Sequence, residues 1–166
     1  MGDSHHSLER TIIVPHPPIH QWTHDGDRVL LVKMIGKDRK TGNVSRNDGT
    51  LSPTIDWPES GIVACSDWDA APICGGGIHA WPWGMFIGDG KDPDATAPWL
   101  VLAAKPEDLV QIEGGKVKAR AVEIVHSGTF ASCMYHTQAG RIAWIIGNSA
   151  GSAASSHCYL AKLTER

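Results

Sequence analysis

"PWLVLAAKPEDLVQIEGGKVKARAVEIVHSG", residues 98–128, holds the pattern that decides the fold class. The apolar run at 97–105 is continuous and short, which reads as a strand buried on both faces. Pro106, Glu107 and Asp108 suit a single helical turn, because proline fits a first helical position and carboxylates fit its positive end. Gly114 and Gly115 mark a reversal. Residues 116–128 then alternate Val117, Ala119 and Ala121 with Lys116, Lys118 and Arg120 before running into "VEIV", the pattern of a half-exposed strand.

Working outward, "RVLLVKMIG" at 28–36 is β-branched and aliphatic and ends in glycine, so a second buried strand is expected there. Residues 37–58 are dense in Gly, Asn and Asp, and "NDGT" predicts a hairpin or broad excursion leading to Trp57. Further strands are read at "TIIV" (11–14) and "RIAWIIG" (141–147), and "SHCYLAKLTER" fits a closing strand or a frayed helix. The total is five or six short strands with little helix: a mainly β or α+β domain. Residues 1–24, with five histidines and three prolines, read as a surface arm, and residues 25–166 as one compact domain. Its C-terminal part, 131–166, is a small-residue strand region.

Composition narrows the functional classes. The chain has 166 residues, 42% of them hydrophobic and 20% charged, which suits a soluble globular domain able to bury its own core. A formal charge of -3 with no basic cluster argues against a nucleic-acid partner. No apolar run approaches the roughly 20 residues a bilayer span needs, and "MGDSHHSLER" lacks the basic start and apolar core of a signal peptide, so the cytoplasm is the expected compartment. Four cysteines there are expected as thiols or ligands rather than disulfides.

The chemistry-bearing stretch is "CSDWDAAPICGGGIHAWPWGMFIGDG", residues 65–90. Thiolate and imidazole are zinc's preferred ligands, so Cys65, Cys74 and His79 form one candidate metal set, with Cys133, His136, His157 and Cys158 downstream. The close Cys-x2-Cys pairs of structural zinc sites are absent. Gly75, Gly76 and Gly77 leave backbone N–H groups free to cradle an anion, although the strand, helix and lysine of a P-loop are missing around them. A Cys–His nucleophile pair, Cys74 with His79 or Cys133 with His136, needs an orienting third group that spacing does not supply. The remaining reading is structural: glycines for tight turns, with Trp68, Trp81 and Trp83 as core plates or as the wall of a ligand pocket.

The ordered series from "DGTLSPTIDWPESG" through "CGGGIHAWPWG" to "PWLVLAAKPEDLVQIEGGKVKARAVEIVHSG", roughly residues 28–130, resembles a domain family encoded by bacteriophages and prophages. That family carries Trp-Pro-x-x-Gly, then Cys-Gly-x-Gly-Leu-His-Gly with a following Trp-Gly, and its longer members continue into Gly-Thr-Ala-rich repeats. Here its Leu-His-Gly is Ile78, His79 and Ala80. The resemblance implies a phage accessory protein. From the residues, the expectation is a non-catalytic protein that binds a small molecule, for example a nucleotide-type signal as an anti-defence sponge, at Gly75, Gly76, Gly77, His79, Trp81 and Trp83, or that acts structurally, with self-association into a homo-oligomer open to it. A second, fainter resemblance is to ADP-ribosyltransferase-like folds, where a Gly-x-His segment meets NAD and a late strand supplies a glutamate; it implies His79 and Glu123 as a catalytic pair.

Overall fold

A computed structural model describes residues 22–46, 49–82, 94, 96–112 and 116–137. The strands are β1 (His24–Asp25), β2 (Arg28–Met34), β3 (Lys40–Thr41), β4 (Ile55–Asp56), β5 (Gly61–Ala64), β6 (Ile78–Pro82), β7 (Trp99–Ala104), β8 (Leu109–Gln111), β9 (Val117–Ala119) and β10 (Ala121–Gly128). One helix, α1 (Phe130–Thr137), follows β10. The strand-rich class expected from sequence is thus present, with ten strands among the described residues rather than five or six. The excess comes from two- and three-residue strands, too short to leave a period in the sequence, and from a break at Arg120 that divides the single strand expected at 116–128 into β9 and β10.

The main sheet runs β5-β10-β7-β2-β6-β9-β8, with β1 added to β2; β3 and β4 pair separately. Its centre is the antiparallel pair β2 and β7, in register from Val29 opposite Ala104 to Met34 opposite Trp99. All six residues of β7 are buried, because both faces of the sheet are covered there. Alternation along β2 sends Val29 and Leu31 into one core with Trp22, Trp57, Leu100 and Leu102, and Leu30 and Val32 into another with Trp99, Val101 and the helix residues Phe130, Cys133 and Met134. A buried strand that feeds two cores reads as an unbroken apolar run, which is why 28–36 and 97–105 were recognisable.

The turn signals also have structural counterparts. Residues 40–56 form a long hairpin closed by β3 and β4 and by an isolated bridge between Ser45 and Leu51, and Pro106–Asp108 is one 3-10 turn leading into β8. Three expectations need correction. Trp22, placed in the surface arm, is wholly buried, and His24 pairs with Val29, so the domain starts before residue 25. Residues 130–137, mostly assigned to a C-terminal strand region, are helical, with Phe130, Cys133 and Met134 at helical spacing on the sheet. Lys116 and Lys118, read as the polar side of a half-exposed strand, are both buried. The strands read at 11–14 and 141–147 and the segment 156–166 lie outside the described residues.

Candidate functional site

β6 carries His79 and Trp81, and the glycine loop leads directly into it. Gly75, Gly76 and Gly77 all have positive φ. At Gly76 a Cβ would stand 2.7 Å from the Asp67 carbonyl oxygen, and at Gly77 3.1 Å from the Trp68 ring, so the loop folds back onto residues 67–69 only because these side chains are missing. Lys118, opposite His79 on β9, holds the same loop from beneath. Its Nζ donates to the carbonyls of Ile73 and Gly75, both at 3.0 Å, and sits 5.9 Å from the centre of the Trp68 ring.

Above the loop lies a cleft of about 680 Å³, closed on its far side by the 40–56 hairpin. That volume suits a small organic molecule. Its polar wall includes Lys33, Lys116, Arg46, Thr41, Ser45 and Ser52; Ile55, Ile78 and Trp81 supply apolar surface. Arg46 is paired with Asp67, so its charge is largely offset. Lys33 donates from Nζ to the His79 carbonyl at 2.8 Å and lies 5.6 Å from the centre of the Trp57 ring. Trp57 is fixed in turn by donating from Nε1 to Thr41 Oγ1 at 2.8 Å. Burial, with Lys116 adding repulsion, pushes the Lys33 amine down to about 8.

His79 is half-buried, and burial with the charges of Lys33, Lys116 and Lys118 lowers its imidazole to about 4. It is neutral at pH 7. The Gly75 backbone lies close enough to act on the ring, and the buried Nε2 has no hydrogen-bond partner among the described residues. The depressed value also sets a pH dependence. Between about pH 6.5 and 4 the unfolded chain takes up a proton that the folded chain refuses, so stability is lost as pH falls through that window. Thermal melts followed by circular dichroism from pH 7 to 4 are expected to show a falling midpoint, and His79→Asn a shallower fall. Some slope remains in the variant because His126, lowered by burial and by His136 stacked 4.1 Å away, acts with the same sign. An identical slope in both proteins refutes the assignment.

Of the residues expected in a ligand site, the cleft brings together Gly75, Gly76, Gly77, His79 and Trp81; Trp83 lies outside the described residues. The metal set is not assembled. Cys65 Sγ lies against the carbonyl of Arg120 at 3.3 Å, where burial and the charge of Asp67 raise its thiol, while Cys74 is exposed. Among the described residues no three His, Cys, Asp or Glu side chains cluster as a metal site would require. Glu123 stands on β10, three strand spacings from β6, at least roughly 14 Å across the sheet, and is paired with Arg28. A group that engaged and that distant from His79 does not form with it the pair an NAD-using transferase needs. Sequence reading missed Lys33, Lys116, Lys118 and Arg46; the one available signal was a lysine interrupting the otherwise apolar "RVLLVKM".

No protein-family model and no solved structure matches the chain. Over 79 residues, 47% of its length, it is 30% identical to an ice nucleation protein of Pseudomonas fluorescens, and the matched part is 6% of that relative. No helix among the described residues is long and apolar enough to cross a membrane.

Proposed function

We propose that this chain is a non-catalytic binding module that holds a small anionic ligand of nucleotide type in the cleft beside His79, serving as the phage accessory protein that the family resemblance implies. One observation carries the reading: two lysines, Lys33 and Lys116, converge on a roomy, partly apolar cleft while the histidine between them stays neutral. Lysines attract a phosphate or carboxylate; the buried Nε2 of His79 is available to exchange a hydrogen bond with a ligand hydroxyl; Ile78 and Trp81 offer apolar contact to a ring. Phosphate, hydroxyl and ring together describe a nucleotide.

The test is thermal shift and calorimetric titration with three probes: inorganic phosphate, adenosine monophosphate and a cyclic dinucleotide. A nucleotide is expected to raise the midpoint, with Lys33→Met and Lys116→Met each weakening it about tenfold, about 1.4 kcal/mol. Glu123→Gln, outside the cleft, is expected to bind as the native chain does. No shift with any probe at millimolar concentration overturns the proposal.

A further inference from the structure

Lys33 is more than a counter-charge. It is half-buried at the cleft wall, and among the described residues no carboxylate pairs with it. Its Nζ is held by one hydrogen bond to the His79 carbonyl and by the face of Trp57, which fixes the amine without neutralising it. Among the described residues, the titratable and charged groups that share the cleft with it are Lys116 ahead of β9, neutral His79 on β6, the Arg46–Asp67 pair, and Asp69 and Cys74 from the loop. Among the described residues the charge that acts on it is that of Lys116, and it is of like sign. A lysine in a partly apolar cleft beside a second cation is the arrangement that turns an ammonium into a nucleophile.

We infer that Lys33 condenses with an anionic carbonyl compound, an aldehyde or ketone bearing a phosphate or carboxylate, to form an imine in the cleft. This rests on the anion-binding reading above, because Lys116 supplies the seat for the charged group. In the step, the Nζ lone pair attacks the carbonyl carbon and the oxygen takes a proton. The carbinolamine then loses water as the N–C double bond forms, and both protons of the neutral amine leave with that oxygen. No oxidant or reductant is consumed. Lys33, at about 8, is half neutral at pH 8, whereas an ordinary lysine amine at about 10.4 is under about 1% neutral.

Pyridoxal 5′-phosphate is the probe, with pyridoxal as its uncharged counterpart. The native protein is incubated with substoichiometric probe, the imine is trapped by borohydride, and the modified lysines are mapped and timed by peptide mass spectrometry. Lys33 is expected to be labelled at least tenfold faster than Lys37 and Lys40, with a rate that rises with a midpoint near pH 8, and pyridoxal is expected to be about tenfold slower. Lys33→Arg, which keeps charge and stem, is expected to lose the fast phase alone. Labelling of Lys33 no faster than that of Lys37 overturns the imine whatever the variant does. Equal labelling by pyridoxal and its phosphate leaves the imine standing and removes the anion seat. Protection by inorganic phosphate, read in the same assay, reports on that seat separately.

Discussion

Trp99→Ala is expected to lower the unfolding free energy by about 3–5 kcal/mol, among the largest losses any single side chain here can produce. Trp99 is wholly buried at the start of β7. Its ring meets Phe130 edge-on with centroids 4.8 Å apart, and its Nε1 donates to the Asp94 carbonyl at 2.9 Å. The indole therefore joins three things: the central strand, the helix that covers one face of the sheet, and the segment entering β7. Truncation removes the apolar area, leaves a cavity the sheet cannot close, and strands a carbonyl. Phe130→Leu keeps most of the volume and is expected to cost about 1 kcal/mol, while the double variant falls short of the sum because the two rings share one contact. Urea melts of the three proteins decide it, and a loss below 1 kcal/mol for Trp99→Ala contradicts the assigned role. Trp99 packs in the helix-side core, whereas Lys33 follows Val29 and Leu31 in the alternation of β2, so nucleotide affinity of the folded fraction is expected to stay unchanged.

The same division explains what could be read from the sequence. Strands β2 and β7 were visible because burial on both faces writes a continuous apolar run, and the hairpin at 40–56 was visible because its turn needs residues that tolerate unusual backbone angles. The glycines and His79 could be singled out as a candidate site by residue type alone. What decides the chemistry of that site was not visible. Lys118 lies on a stretch that alternates polar and apolar residues, where a lysine reads as solvent-facing; its burial depends on carbonyls 45 and 43 residues away in the chain. Likewise nothing local to Thr41 or Arg46 says that the hairpin will close over residues 73–77. Glu123 and His79 failed to meet for the same reason: strand order in a sheet is a long-range property, and two intervening strands separate residues that a motif would place side by side.

Lys118 is where fold and site are most tightly joined, and its removal is expected to show both at once. In Lys118→Ala the carbonyls of Ile73 and Gly75 lose their donor and a void opens beneath Trp68, which together cost about 3 kcal/mol. The loop these carbonyls belong to has three consecutive positive-φ glycines and exposes the side chains of Ile73 and Cys74, so the two bonds from the lysine tether it to the sheet. Loosening it moves Gly75, which lines the cleft beside His79. Nucleotide affinity is therefore expected to fall at least tenfold although Lys118 is not in the cleft wall. Lys118→Met separates the two effects. Methionine refills the space against Trp68 and is expected to recover about half of the lost stability, but it cannot donate to the two carbonyls, so affinity stays low. A variant that binds as tightly as the native chain would make Lys118 a packing residue only. Stability restored without binding makes it the positioning residue of the cleft.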